Sequence, residues 1–335
     1  MSTGLIPVVD VAPLASDVEG DRRAVARAIE RACEEIGFFS VIGHGVDRAL
    51  VRRMYDVSRA FFDLPMADKQ RVRRPRPEQS RGYIGRGEEN LAYAIGRDTT
   101  DMKEFFAIGP IDVPDEPYYT APAAYPSFAP NLWPERPAEL RQVYTDYYRA
   151  MERLAARLMG AFALALDLRE DFFRDKTDRH ISGIRVINYP DQPEPPAAGQ
   201  LRAGAHSDYG ALTILKAENV TGGLQVLNRA GDWVDVQPPA GAFVVNIGDL
   251  MMHWTNDRWV STLHRVINPP RDAALGSRRQ SIVFFYQPNY DALIECLPSC
   301  TGPGSPPRYA PVTSGEHRLR KFLRTVSATP QTAAG

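Results

Sequence analysis

From Gly183 onward the chain consists of short segments rich in β-branched and aromatic residues, separated by turn-forming residues. Short strands at this spacing are typical of β-sandwiches and double-sheet jelly rolls, whereas a parallel sheet would need helices between its strands. We therefore expect a mainly β second half with helices elsewhere, an α+β chain. The predicted strands are 183–189, 205–215, 223–228, 233–236, 242–247, 260–267 and 279–287.

The first part of the chain is predicted to contain two amphipathic helices with a strand between them. Apolar residues recur every three or four positions over 21–36, which indicates a helix with one buried face. A short apolar run at 38–42 predicts a buried strand. Asp47 is placed to cap a second helix that ends near Phe62.

Two further segments complete the predicted organisation. Eight prolines between residues 110 and 137 exclude a helix or central strand and predict an extended connector. A helical pattern from Leu140 to about Leu166 predicts a long spine helix on which a sheet packs. The expected divisions are an N-terminal helical and strand region (1–109), the connector (110–137), the spine helix with the catalytic domain (138–324), and a disordered tail (325–335).

Composition narrows the functional classes. The 335 residues carry 40 basic and 41 acidic side chains without a basic tract, which argues against nucleic acid as a partner. No apolar run reaches the roughly 18 residues of a membrane span, and the N-terminus lacks the basic leader of a signal peptide. Three cysteines are too few for a disulfide framework. We expect a cytoplasmic protein, a monomer, that binds a small molecule.

The pair His206-x-Asp208 is the strongest indication of chemistry. Residues i and i+2 of a strand point to the same face, so an imidazole and a carboxylate would emerge side by side. Two histidines and one carboxylate form the facial triad of non-haem Fe(II) enzymes, which leaves positions open for co-substrate and O₂. With 6 His and 41 acids, about 0.7 such pairs arise by chance, so the motif depends on its context.

The third ligand has five candidates. His264 is favoured because it lies in a strand-like segment 58 residues after His206, which leaves room for four strands to return the chain beside that residue. His253 is better suited to a turn or to the rim of a pocket. The other three, for which a structural role is expected, are His44, His180 and His317.

Arg279-x-Ser281 follows the third histidine on a predicted strand, and its two side chains share one face. An arginine fork binds a carboxylate through two hydrogen bonds, and the hydroxyl adds a donor to the same group. Arg-x-Ser pairs are common by chance, so the assignment of this pair depends on its position after His264.

Taken together, these residues resemble the isopenicillin N synthase-like family of Fe(II)/2-oxoglutarate-dependent oxygenases over roughly residues 5–300. Segments 6–10, 37–46 and 246–249 resemble further blocks of that family. The resemblance implies a double-stranded β-helix, a cupin-like jelly roll. It implies an iron triad of His206, Asp208 and His264. It also implies that Arg279, Ser281 and Tyr189 bind the distal carboxylate of 2-oxoglutarate.

The resemblance further implies hydroxylation of a small metabolite or biosynthetic intermediate, as in bacterial secondary metabolism, with Fe(II) and O₂ and with release of succinate and CO₂. Some members cyclise or desaturate instead, and a few use no 2-oxoglutarate. A jelly roll that only binds a ligand or stores metal is a second class. A Zn²⁺ hydrolase on the same three ligands is a third, since the ligands do not identify the metal.

Five residues are candidates for the substrate pocket. Arg185 and Phe285 share the inward parity of Tyr189 and Arg279, although Arg185 could equally form an internal salt bridge. Arg81, Tyr83 and Phe105 lie where the family's N-terminal half covers the pocket, with ordinary packing as the alternative. A loop at 269–277 is longer than in many family members, and we expect it to insert between two strands without moving a ligand.

Overall fold

A computed structural model describes residues 6–92, 96, 99–218 and 223–327. Its helices are α1 (Glu19–Glu35), α2 (Arg48–Phe62), α3 (Met66–Gln70), α4 (Pro117–Thr120), α5 (Leu140–Ala165), α6 (Arg174–Thr177), α7 (Asp249–Trp254) and α8 (Ser314–Ser327). The strands before the spine helix are β1 (Val8–Asp10), β2 (Phe38–Ile42), β3 (Gly82–Ile84) and β4 (Glu104–Ile108). Those after it are β5 (Gly183–Tyr189), β6 (Ala203–His206), β7 (Leu212–Ala217), β8 (Leu224–Leu227), β9 (Trp233–Asp235), β10 (Phe243–Ile247), β11 (His264–Val266), β12 (Arg279–Tyr286), β13 (Leu293–Ile294) and β14 (Val312–Thr313).

Two sheets build the core. The larger has eight strands in the order β1-β2-β10-β7-β12-β5-β4-β3, and the smaller has four in the order β6-β11-β8-β9. The strands of the second half are divided between the two sheets, as they are in a jelly roll. Strands β13 and β14 form a separate antiparallel pair. The mixed fold of helices with a jelly-roll core confirms the predicted class.

The two faces of the large sheet have different roles. On β12, Ile282, Phe284 and Tyr286 belong to the main core, which also contains the buried faces of α1, α2 and α5. The alternate residues, from Arg279 to Phe285, face the small sheet and line the cavity between the sheets. The period of two along this strand therefore separates the hydrophobic core from the candidate site.

Several sequence predictions are confirmed. Strands β2 and β5 have the predicted bounds, and α2 starts after Asp47, whose side chain accepts a hydrogen bond from the Ala49 amide. The spine helix α5 runs from Leu140 to Ala165. In the proline-rich segment the exclusion of helix was wrong for Pro117–Thr120, which forms the single turn α4 with Pro117 at its first position, where a proline is tolerated; a 3₁₀ turn follows at Pro122–Ala124.

Other predictions need correction. The single strand at 205–215 is two strands, because the chain crosses between the sheets at 207–211, where Gly210 approaches the Tyr286 carbonyl too closely for a side chain. The strand at 260–267 is limited to β11. The tail boundary at Thr325 is three residues too early, because α8 continues to Ser327. The rest of the predicted tail, 328–335, lies outside the described residues.

None of the helices in the described ranges combines the length and the apolar composition needed to cross a bilayer.

Candidate active site

His206, Asp208 and His264 meet in the cavity between the sheets. Strands β6 and β11 pair antiparallel with His206 directly opposite His264, and four strands separate these residues in sequence. One ligand atom from each of the three residues lies within 4.8 Å of the others. Asp208 Oδ1 is 4.0 Å from His206 Nε2 and 3.8 Å from His264 Nε2. The donor set and its proximity fit one divalent metal ion of the type that facial triads hold.

The carboxylate reaches the triad differently from the expectation. His206 is the last residue of β6, and Asp208 lies in the following loop rather than two positions along a strand. The loop is held by the Asp249 amide, which donates to the Asp208 carbonyl at 2.8 Å. His206 and Asp208 thus lie together as expected, but the shared face of a strand is not what brings them together.

Each imidazole is oriented by its second nitrogen. His206 Nδ1 lies 2.8 Å from the Gly204 carbonyl, and His264 Nδ1 lies 3.1 Å from the Thr262 carbonyl. A carbonyl can only accept, so each Nδ1 carries the proton and each Nε2 presents its lone pair to the other ligands. Burial and the neighbouring His264 lower the pKa of His206, which keeps its imidazole in the neutral form that binds metal.

Asn246 fixes the carboxylate. Its Nδ2 donates to Asp208 Oδ2 at 2.7 Å, which leaves Oδ1 to face the imidazoles. Burial acts to raise the pKa of Asp208, but positive charge beside it, on His264 or His206, and the Asn246 hydrogen bond outweigh burial and lower the pKa below its ordinary value. The carboxylate is thus held ionised and oriented at the same time.

The predicted carboxylate-binding residues come together on two paired strands. Arg279 on β12 pairs directly with Tyr189 on β5, and Ser281 follows on the same face. Arg279 and Ser281 are each only 2% exposed, yet Arg279 Nη1 and Ser281 Oγ have no hydrogen-bond partner in the described part of the chain. The extra loop at 269–277 contains one 3₁₀ turn and leaves this register intact.

Buried donors without partners are costly unless a ligand accepts their hydrogen bonds. A guanidinium nitrogen and a hydroxyl on one face, in the cavity that also holds the triad, match the two oxygens of a carboxylate. The residues present therefore fit both a divalent iron and the far end of 2-oxoglutarate.

The five pocket candidates divide into two groups. Arg185, Phe285 and Arg81 line the cavity. Tyr83 does not, because its hydroxyl donates to Glu104 at 2.6 Å and its ring belongs to the main core. Phe105 does not either, because the Arg185 guanidinium lies 4.0 Å above its ring and covers it.

Three residues that line the cavity were missed from the sequence, Glu89, Arg318 and Phe322. Glu89 lines the cavity and bonds both Arg185 and Lys103. Arg318 and Phe322 reach the cavity from α8. The apolar spacing of Leu319, Phe322, Leu323 and Val326 could have revealed α8, but no local pattern indicates the partners of Glu89.

The remaining histidines lie away from the triad. His44 Nε2 lies 3.1 Å from the Gly241 carbonyl, and His180 pairs with Glu152. His253 stacks on Tyr309 and contacts His317 edge-on. These contacts agree with the structural roles expected of His44, His180 and His317.

Comparisons with known proteins agree with this geometry. Residues 6–136 match the family described as non-haem dioxygenase in morphine synthesis N-terminal, and residues 181–288 match the 2OG-Fe(II) oxygenase superfamily. A 2-oxoglutarate-Fe(II) type oxidoreductase, hxnY of Emericella nidulans, is 36% identical over 312 residues, which cover 92% of this chain and 86% of the relative. A homoarginine-6-hydroxylase of Oryza sativa subsp. japonica is 33% identical over 332 residues, with 95% and 96% covered.

A solved structure extends the comparison to the fold. A full-length Neurospora crassa protein, crystallised in complex with alpha-KG and 5-formyluracil, has a TM-score of 0.83 and 28% identity, and the match covers 97% of this chain and 98% of that one. The fold, the triad and these relatives lead to one conclusion: the chain belongs to the Fe(II)/2-oxoglutarate-dependent oxygenase family and is a non-haem dioxygenase that uses Fe(II) and 2-oxoglutarate.

Proposed function

We propose that the protein hydroxylates an unactivated C–H bond of a small-molecule metabolite, with release of succinate and CO₂. Fe(II) with 2-oxoglutarate supplies the oxidation of the C–H bond by O₂. His206, Asp208 and His264 hold the metal in this proposal, and Arg279, Ser281 and Tyr189 hold the distal carboxylate of 2-oxoglutarate. The hydroxylase and the small-molecule complex among the similar proteins support the reaction type.

One observation carries the proposal. Arg279 Nη1 and Ser281 Oγ are buried donors without partners among the described residues, and they lie in the same cavity as three metal-ligating groups. A metal store needs no such carboxylate site, and the family match supports 2-oxoglutarate, rather than the substrate of a hydrolase, as the carboxylate bound there. Burial raises the pKa of Tyr189, so its phenol stays neutral beside this site.

The chain's own residues perform the positioning. Arg279 also donates through Nε to the Glu218 carbonyl, which fixes the direction of its fork. The apolar side chains of the cavity wall exclude water from the metal side, and these include Leu215, Val266, Val283 and Phe285.

An anaerobic titration tests the proposal. Wild-type protein with Fe(II) should develop a weak visible charge-transfer band when 2-oxoglutarate is added. Arg279→Ala should lose the band at low 2-oxoglutarate concentration, and His206→Ala and Asp208→Ala should lose it at any concentration. Arg278→Ala is the matched control, because this neighbouring arginine pairs instead with Asp63 and Asn188.

Oxygen is then admitted, and succinate is measured in the presence of candidate substrates. Hydroxylation predicts one succinate per hydroxylated product. The absence of the band in wild-type protein would overturn the assignment of these residues to 2-oxoglutarate. A product that has lost hydrogen without gaining oxygen would overturn hydroxylation in favour of desaturation or cyclisation.

A further inference from the structure

The charged side chains around the cavity are mostly neutralised by each other. Glu89 Oε2 lies 2.8 Å from Lys103 Nζ, and Glu89 Oε1 lies 3.0 Å from an Arg185 guanidinium nitrogen. Lys103 also contacts Asp101 at 2.9 Å. Two cations and two carboxylates thus form one buried, electrically balanced network, and Arg185 is already paired within it.

Two further charges are balanced by the groups of the proposed function. Asp208 faces the metal, and Arg279 faces the distal carboxylate of 2-oxoglutarate. After this assignment, Arg81 and Arg318 are the charged residues of the cavity lining that lack a carboxylate partner in the described ranges.

Arg81 is only 2% exposed and is firmly placed. Its two terminal nitrogens donate to the carbonyls of Ser80 and Ser127, each at 2.8 Å, while its Nε is buried and has no partner among the described residues. Gly109 packs against the guanidinium so closely that a side chain there would overlap it. Carbonyl oxygens orient this cation but do not cancel its charge.

Arg318 enters the cavity from α8 and makes no ion pair or hydrogen bond with the described residues. Burial and repulsion from Arg185 lower the pKa of Arg318 to about 10, and burial and repulsion from Arg318 lower the pKa of Arg81 to about 9. Arg81 and Arg318 thus repel one another in the same cavity, and a bound anion would reduce this repulsion.

From this charge balance we infer that the substrate is a small organic acid, whose carboxylate is bound by Arg81 and Arg318. The free donors are the Arg81 Nε and the Arg318 guanidinium, whose fork can bind the two oxygens of a carboxylate through parallel hydrogen bonds. The remaining wall near these residues is largely apolar, with Phe322, Ile184 and Phe285. The inference rests on the proposed function for the position of the reacting bond. It makes Arg318, on α8, a residue that determines substrate specificity.

Ligand-observed NMR with the full-length protein tests the inference. The probes are straight-chain and arylalkyl monocarboxylic acids, each paired with its carboxamide and its phosphonate. Excess 2-oxoglutarate is present, so that no acid binds at Arg279 and Ser281. We expect at least one acid to bind about tenfold or more tightly than its carboxamide, the cost of losing a charged hydrogen-bonded pair.

Arg318→Gln should abolish that preference, and Arg318→Lys should retain part of it. The matched control is Arg320→Gln, because Arg320 lies on the same helix but is exposed. The inference is overturned if no acid in the panel is preferred over its carboxamide, or if Arg318→Gln retains the full preference. A phosphonate that binds more tightly than its acid would overturn the assignment to a carboxylate.

Failure of the proposed function gives a different result. The binding of 2-oxoglutarate is titrated in the same samples, and none of the three substitutions on α8 should change it. Loss of 2-oxoglutarate binding in the wild type would count against the proposed function, whereas a missing acid preference with normal 2-oxoglutarate binding would count against the organic acid alone.

Discussion

Asn246→Ala is expected to weaken metal binding by about 10- to 100-fold. In the wild type, Asn246 Nδ2 donates to Asp208 Oδ2 at 2.7 Å, and Asn246 is only 3% exposed. A hydrogen bond to a charged group contributes about 1.5–3 kcal/mol, and about 1.4 kcal/mol corresponds to a factor of ten in affinity. Groups that orient metal ligands have measured effects of the same size.

The assay is anaerobic competition for Fe(II) against a chromophoric chelator. Asn289→Ala is the matched control, because this buried asparagine also donates to a carboxylate, Asp178, at 2.7 Å but lies outside the candidate site. Both variants should lose stability, and only Asn246→Ala should lose metal affinity. Equal Fe(II) affinities for wild type and Asn246→Ala would refute the role of this hydrogen bond.

Three further predictions concern a buried ion pair, a close glycine contact and a histidine with a lowered pKa. Lys103→Met leaves the buried Asp101 without its cation and Glu89 with Arg185 alone, and should lower the free energy of unfolding by about 3–5 kcal/mol. Lys176→Met removes a more exposed pair and should lower it by less than about 1 kcal/mol, as measured by urea unfolding. Gly109→Ala places a methyl group into the guanidinium of Arg81 and should cost about 1–3 kcal/mol and weaken the binding of acid probes. Burial and a neighbouring imidazole lower the pKa of His253 to about 4, so the unfolded chain takes up a proton that the folded chain excludes, and stability should fall as pH drops from about 6.5 towards 4. His253→Phe should flatten that dependence in urea midpoints measured across this range.

Each of these expectations has a result that would contradict it. Gly302→Ala is the control for Gly109→Ala, since nothing lies within 4 Å of the carbon that it adds. An equal loss of stability and of acid binding in both variants would show that the contact between Gly109 and Arg81 does not cause it. Similar losses in the free energy of unfolding for Lys103→Met and Lys176→Met would show that the buried ion pairs stabilise the fold no more than an exposed pair does. An unchanged pH slope in His253→Phe would assign the acid sensitivity to other groups.

Much of the fold was predictable because it follows local periodicity. The buried face of α2, the cap at Asp47 and the alternation along β12 are each specified by residues close in sequence. The triad was predictable in part for the same reason, since four short strands between His206 and His264 return the chain to its starting point. Asp208 shows the limit, because the loop that places it depends on contacts from another element.

An internal salt bridge of Arg185 was one of the two expectations for that residue, but the partners in the charge network could not be predicted, because they meet only in the folded chain. Glu89 and Lys103 flank β3 and β4, whereas Arg185 lies on β5, and no spacing relates them. The same holds for Arg318, which enters the cavity from α8 and lines it beside residues far earlier in the chain. Sequence patterns report which face of an element is buried, but not which distant charge it meets there.

The central claim is that one cavity holds iron at the triad and 2-oxoglutarate at the Arg279 face. Anomalous diffraction at the iron edge, from crystals grown anaerobically with Fe(II) and 2-oxoglutarate, tests it most directly. The account predicts one iron peak contacted by His206, Asp208 and His264, with the distal carboxylate of 2-oxoglutarate on Arg279 and Ser281. An iron peak elsewhere, or a 2-oxoglutarate that leaves both donors without a partner, would contradict it.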